Sequence, residues 1–484
     1  MQPFSMLYYG KQHTASRLIY CCLLLIWLLI NPQIISSTDA ATWYVNNKTG
    51  SDNNNGISEN TAVATISRAI TLAGRSDTLE LANTGIPYRE TMLFRNLGGR
   101  PDRPFVVEGN GAVLSGLKAI DVSKWETVKE GLFVFPLDKT PYGNPFLVSR
   151  GKRIPQAKSL DLLQTGEHYW DRSGNKIYFL CDIGKKPADY QLEATLRISG
   201  LTLTSSSYIV CRNLSAEFFS NDGFNIHGDC RGVRLENVIA RHNGDDGISI
   251  HESGGLIVQN AHVHDNFFGI QDVNASRSVY NGVLAERNQI GVSLVGGYHS
   301  LVDCQIKDSI QKEVDIAGAN PGHLIGAEYN PLCKTILFAQ NVSLFGNGNQ
   351  TGLSIRNGAT AIIERSVISD SQTGLMVDGN SFCHMSQTAI IDCNTILKSN
   401  SPTSFFDFNY YTPGQINWQN TLFQSGQFTD YVTASKDDSN SHTGPLKVRP
   451  DGIVELPSGS EGTKAKPKVG PSVPITSTFT IVNP

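Results

Sequence analysis

Six short stretches of this chain close a polar turn on glycine and then alternate apolar with polar residues. They are Asn221-Asp-Gly-Phe-Asn-Ile226, Asp245-Asp-Gly-Ile-Ser-Ile250, Phe267-Phe-Gly-Ile-Gln-Asp272, Gln289-Ile-Gly-Val-Ser-Leu294, Gln350-Thr-Gly-Leu-Ser-Ile355 and Gln372-Thr-Gly-Leu-Met-Val377. Their glycines, Gly223, Gly247, Gly269, Gly291, Gly352 and Gly374, are spaced by 24, 22, 22, 61 and 22 residues. One short strand per period in the low twenties marks stacked β-coils, each burying its apolar edge only against its neighbours. The long interval reads as nearly three periods with an added loop. The chain is therefore expected to be all-β, a right-handed parallel β-helix in the form of a single-stranded solenoid; parallel crossovers are right-handed almost without exception. Asn213, Asn237, Asn260, Asn281 and Asn341 recur nine to eleven residues before these glycines, the pattern of an internal asparagine ladder from coil to coil.

Alternation along a strand assigns faces. One residue after each glycine, Phe224, Ile248, Ile270, Val292, Leu353 and Leu375 point into the solenoid. The next residues, Asn225, Ser249, Gln271, Ser293, Ser354 and Met376, point outward, and Ile226, Ile250, Leu294, Ile355 and Val377 point inward again. Asp272 breaks that second apolar column, and an early end to its strand is expected. His227, His251 and Arg356 follow on the outer side.

The remainder of the chain divides around this repeat. Lys11 and Arg17 precede an apolar run from Leu18 to Ile30, and Thr38-Asp39-Ala40 supplies small residues at a cleavage site. Residues 1–40 are thus expected to be an export signal, whose apolar run from Leu18 to Ile30 is too short for a comfortable membrane span. Residues 41–117 are expected to hold an N-terminal cap and the first coils, with Ala64 to Ala73 apolar at helical spacing as a helical cap. Residues 118–200 lose the period and include Glu167 to Tyr178, which reads as a hairpin, so an inserted antiparallel β subdomain is expected beside the groove. Residues 201–457 carry the β-helix, and 458–484 read as an extended tail. The product is expected to be secreted or in the cell envelope, monomeric and free of the membrane once the signal is removed. A formal charge of −4 offers no basic surface for nucleic acid. Seven cysteines remain beyond the signal; Cys211 with Cys230 and Cys383 with Cys393 are possible disulfides, or all are small core residues.

Asp222 and Asp246 hold the same place in neighbouring coils, with Asp245 beside them. Carboxylates so close repel one another unless a cation or protons intervene. Asp222, Asp245 and Asp246, with Asn221, are therefore candidate ligands for Ca²⁺, which favours oxygen donors on turns. His251 and His227 are candidate bases on the same face, with Asp246 as a catalytic acid, and Asn225, Ser249, Gln271 and Arg356 are candidate substrate contacts. Turn chemistry alone also favours Asn-Gly-Asp-Asp-Gly. Trp170, Phe267, Phe268 and Tyr298 are candidate sugar-stacking platforms.

Trp43-Tyr-Val with Gly50-Ser-Asp-Asn-Asn-Asn-Gly56, Ala64-Thr-Ile-Ser-Arg-Ala69, the hairpin at Tyr169 to Tyr178, and the later Asp437-Asp-Ser-Asn-Ser441 and Leu456-Pro-Ser-Gly-Ser460 resemble the pectate-lyase-like (pectin-lyase-like) right-handed parallel β-helix proteins, among them polysaccharide lyase family 9 and several β-helix glycoside hydrolases. The resemblance covers about residues 41–460. In the family 9 lyases, carboxylates on adjacent coils hold Ca²⁺ and a lysine is the base. Asn243-Gly-Asp-Asp-Gly-Ile248 matches the carboxylate pair at Asp245 and Asp246, whereas Ser249, Asn221 and Ser293 stand where the pattern has Asp, Asp and the lysine. The resemblance implies a secreted polysaccharide-degrading enzyme, a Ca²⁺-assisted lyase on uronate-containing polysaccharide. The alternatives are a β-helix glycoside hydrolase using paired carboxylates, or a non-catalytic carbohydrate-binding or surface protein.

Overall fold

A computed structural model describes residues 40–138, 142–318, 334–448 and 454–455. The chain divides into two units, 1–41 and 42–484. The expected export signal and the expected tail lie almost wholly outside the described residues. Among the described residues no helix is long and apolar enough to cross a membrane.

Apart from an antiparallel insertion, the described residues between 42 and 443 form a parallel β-solenoid. One wall is a 12-stranded sheet running from Met92–Arg95 through Leu201–Thr204, Phe224–His227, Asp246–Ile250, Phe268–Val273, Ile290–Val295 and Lys312–Ala317 to the last coils. A 21-stranded sheet supplies the other walls. The register is the one the glycine repeat demands: Phe224 pairs with Ile248, Ile248 with Ile270, and Ile270 with Val292. All four are fully buried, each contributing about 1.5–3 kcal/mol by burial. Glycine is required by close approach here, since a Cβ on Gly247 would lie 2.6 Å from the Gly269 carbonyl oxygen.

The interval between Gly291 and Gly352 holds two periods, not nearly three. Glu313 occupies the glycine position of the coil between them, because Ile290 pairs with Lys312 and Val292 with Val314. The surplus chain falls in 319–333, outside the described residues. Glu313 is fully buried, and its carboxylate accepts from Ser309 Oγ at 2.6 Å and Gln350 Nε2 at 2.9 Å.

Asp272 does not end its strand. Phe268–Val273 continues through it, in register between Ile250 and Leu294. The carboxylate is fully buried and satisfied from inside the core, by Tyr280 Oη at 2.7 Å and Ser278 Oγ at 2.5 Å, with His299 Nδ1 3.2 Å away. Three of the asparagines expected as an internal ladder, Asn213, Asn237 and Asn260, lie instead at an outer corner. They adopt left-handed backbone there, and their amides bond at 3.2 and 3.3 Å. The buried ladder is Asn243–Asn266–Asn288, whose amides bond one another and the carbonyls of the coil behind. Cys211, Cys230, Cys383 and Cys393 are free buried thiols, so neither candidate disulfide is formed.

Strands Met92–Arg95 and Leu201–Thr204 pair directly, although 105 residues separate them, and much of that chain forms two four-stranded antiparallel sheets. The expected hairpin is present, His168–Asp171 against Lys176–Leu180. Trp170 packs inside this element's own core with Phe135, Ile177 and Phe179, which removes it as a sugar platform. The seven-residue helix Ile66–Leu72 buries Ile66 and Ala69 among the core residues of the solenoid.

Candidate functional site

The site begins with the stacked turns before Gly223 and Gly247. Gly223 donates its N–H to the Asp246 carbonyl at 2.9 Å, and Asp245 donates to the Asn221 carbonyl at 3.0 Å, which locks the two turns coil on coil. One oxygen from each of Asp222, Asp245 and Asp246 lies within 4.8 Å of the others. Asp222 and Asp246 are buried, and Asp245 is half-buried.

Asp222 Oδ2 accepts from Asn221 Nδ2 at 2.7 Å and from Asn225 Nδ2, and Ser249 Oγ stands 3.5 Å away. Asn221 is thus an amide donor to the cluster. Asp246 Oδ1 and Asn225 Oδ1 are buried acceptors without a hydrogen-bond partner. Burial, with Asp245 nearby, pushes the Asp222 carboxyl up to about 7. Burial pushes Asp245 up to about 6. Asp246 is raised well above the carboxylate range by burial, with Asp222 and Asp245 adding repulsion. One or more protons, or a cation, therefore accompany these acids at neutral pH.

Ser249 links the acids to the histidines, with its Oγ 3.2 Å from His251 Nε2. The rings of His251 and His227 stack with centroids 4.2 Å apart and planes 12° from parallel. Burial, then the neighbouring His227, lowers His251 to about 4, so its imidazole is neutral. Asn225, Ser249, Gln271, Ser293, Asp315 and Ser354 form one outward column, and of these only Gln271 is more than marginally exposed. Arg356 stands apart from the acids. Its guanidinium grips Asp315 at 2.8 Å, shared with Lys312 at 2.8 Å, and Asp315 is three coil steps from Ser249, about 14 Å. Phe267 is 41% exposed beside the acid turn, and Phe268 is half-buried. Tyr298 belongs to the other sheet, where it lines a groove of about 510 Å³ with Ile257, Val279 and Phe338.

The inserted element supplies residues that local sequence could not place. Asn144 donates its backbone N–H to the Ser220 carbonyl at 2.5 Å and its amide to the Gly244 carbonyl at 3.2 Å. Arg172 holds Gly143 O and Asn144 Oδ1, each at 2.8 Å. One side of the acid turns is therefore walled by chain 76 or more residues away in sequence. Glu252 adds a carboxylate next to the histidines, and its place beside His227 becomes visible only once the coils are stacked.

No family model matches this chain, and no curated protein matches it. Among solved structures it is similar to XylC in complex with xylose, with a TM-score of 0.54 and 12% identity over 86% of this chain and 89% of that one. It is also similar to a glycoside hydrolase, at a TM-score of 0.43 and 11% identity over 84% and 96%. The pectate lyase Pel9A gives 0.39 and 14% over 80% and 79%. What the XylC likeness shows is the fold, a parallel β-helix.

Proposed function

We propose that this protein is a carbohydrate-active enzyme that hydrolyses glycosidic bonds of a polysaccharide at Asp222, Asp245 and Asp246. The observation that carries the reading is the convergence of these three carboxylates from adjacent coils within 4.8 Å, two of them with pKa values of about 6 and 7. Carboxyls tuned in that way supply both a proton donor and a base at neutral pH. Asp246, held protonated by burial and by its two acidic neighbours, donates its proton to the glycosidic oxygen as the bond to the anomeric carbon breaks. Asp245, half-buried and pushed only to about 6, is ionised at pH 7; it attacks the anomeric carbon to form a glycosyl ester, which water then cleaves as Asp246, now ionised, takes the water's proton. Asp222 shares their pocket and keeps the second proton in it. The fold shared with a xylose-bound protein supports the substrate class.

A second reading has its own support. The unpartnered oxygens of Asp246 and Asn225 beside two more carboxylates fit a hard cation, and Asp222, Asp245 and Asp246 would hold Ca²⁺. Bound there, the ion would neutralise the acids and bind a uronate carboxylate, the chemistry of a lyase. In that case neutral His251 is the group on this face able to accept the substrate's proton.

Incubation with a panel of neutral and uronate polysaccharides separates these readings. New reducing ends without ultraviolet absorbance from unsaturated uronate, lost in Asp245→Asn, are expected. Absorbance that a chelator abolishes would replace hydrolysis by the lyase reading. Binding with no cleavage of any polymer would overturn both in favour of a carbohydrate-binding protein.

A further inference from the structure

Three groups of metal-capable side chains come together among the described residues, and their chemistry separates them. Asp222, Asp245 and Asp246 offer oxygen alone. In the second group, His242, His264 and Asp265, a cation is already in place: Arg287 Nη2 lies 3.1 Å from Asp265 Oδ2 and 3.3 Å from His264 Nδ1. The third is His227, His251 and Glu252, which joins two imidazoles to one carboxylate.

We propose that His227, His251 and Glu252 form a binding site for a divalent transition-metal ion of the zinc type. The fold builds the site directly. Ile226 and Ile250 pair in register, so the next residue of each coil, His227 and His251, stacks ring on ring at 4.2 Å. Glu252 turns in left-handed backbone, φ 54°, and its Oε1 lies 3.4 Å from His227 Nδ1. A tetrahedron with metal–ligand bonds of about 2.0–2.1 Å has an edge of roughly 3.3 Å, so this pair already stands at ligand spacing. The third donor is within 4.8 Å, and rotation of an imidazole closes the remainder. Glu252 Oε2 is fixed by the Gly228 N–H at 2.6 Å, leaving Oε1 as the ligand atom.

Two nitrogens and one oxygen select zinc-type ions over Ca²⁺ or Mg²⁺. The His227 side chain is 37% exposed and that of Glu252 21%, which gives an ion entry and water a fourth position. Such an ion would tie adjacent coils together where the strands of the acid site end. It would also engage His251, and so leave the acids to do the proton transfers.

The test is equilibrium dialysis of the chelator-stripped full chain against Zn²⁺, with metal counted by atomic spectroscopy and ligand type read from Co²⁺ absorption bands. One Zn²⁺ per chain is expected, not displaced by excess Ca²⁺. His227→Gln and Glu252→Gln should each weaken it by at least about tenfold, with circular dichroism unchanged, while Asp245→Asn keeps it. Failure to retain Zn²⁺, or its loss in Asp245→Asn but not in the His227 and Glu252 variants, overturns the proposal. Since the readout is metal content, it stands apart from whether the acids cleave sugar.

Discussion

Asp246 points its backbone N–H at Asp222 Oδ1 across 3.3 Å, so the carboxylates of two successive coils are held in one water-poor pocket by the solenoid's own register. Neither can be moved without unstacking a coil. Removing charge while keeping shape is therefore the informative change. Asp222→Asn, Asp245→Asn and Asp246→Asn should each lower kcat on a cleaved polysaccharide by about 10²–10⁴, with melting temperature unchanged or higher at neutral pH. A variant with near-normal kcat would remove that residue from the chemistry.

The same pocket sets a pH dependence of stability. Burial raises Asp222 to about 7 and Asp245 to about 6, and buried Glu313 is likewise raised to about 7. On these three acids the folded chain keeps protons that the unfolded chain has lost between about pH 4 and 7, so their share of the stability falls as pH rises through that window. His251, His168, His242 and His262, each lowered to about 4 chiefly by burial, contribute in the opposite sense. Glu252 also runs against the three acids. Burial alone would raise it, but hydrogen bonds from His227 and Gly228 hold it at about 2, so its contribution is lost only in stronger acid. The melting temperature of the parent relative to Asp222→Asn should therefore be higher near pH 5 than near pH 8 by about 2–6 °C, because the variant lacks the group that must ionise in the pocket. A difference between parent and Asp222→Asn that stays the same at pH 5 and pH 8 would contradict the burial of Asp222.

The repeat was legible because each glycine reports a local need, a backbone approach that no Cβ tolerates. The inward columns followed from strand alternation alone, and so did the alignment of Asp222 with Asp246. Contacts that cross coils without leaving a periodic mark were not legible. Asp272 looks like a break in an apolar column, but its partners Ser278, Tyr280 and His299 lie on another wall. Asn243 and Asn266 carry the buried ladder, whereas the outer asparagines drew notice by recurring at a steady distance from the glycines. Glu313 hid a whole coil by standing where glycine was sought. Trp170 misled because an aromatic residue in a hairpin reads equally as platform or core.

Arg172 tests how the inserted element shapes the site. Its guanidinium, largely solvent-facing, bonds Gly143 O and Asn144 Oδ1, and Asn144 in turn bonds the turns at Ser220 and Gly244. Arg172→Ala should cost about 0.5–1.5 kcal/mol and loosen 142–146 against the acid turns. Hydrogen exchange of the Asn144 and Phe146 amides should quicken, and KM should rise more than kcat falls. Unchanged exchange there would mean that the wall is held by the Asn144 backbone alone.

The cluster around Asp272 yields the largest expected loss of stability. It is an acidic side chain in the solenoid core, satisfied by Ser278 and Tyr280 and lying close to His299. His299 is further tied by its Nε2 to the Gly296 carbonyl at 2.6 Å, near the point where the chain enters strand Gly297–Val302. Asp272→Leu restores the apolar column that the repeat prefers, yet strands a hydroxyl, a phenol and an imidazole in the interior. Breaking one member of a buried polar set costs about 3–5 kcal/mol, more than a leucine gains by filling the column, about 1.5–3 kcal/mol. Urea unfolding should therefore show a midpoint well below that of the parent, with Ser278→Ala losing about 1 kcal/mol. Should Asp272→Leu prove as stable as the parent, the column would tolerate either residue and the polar set would be incidental to the fold.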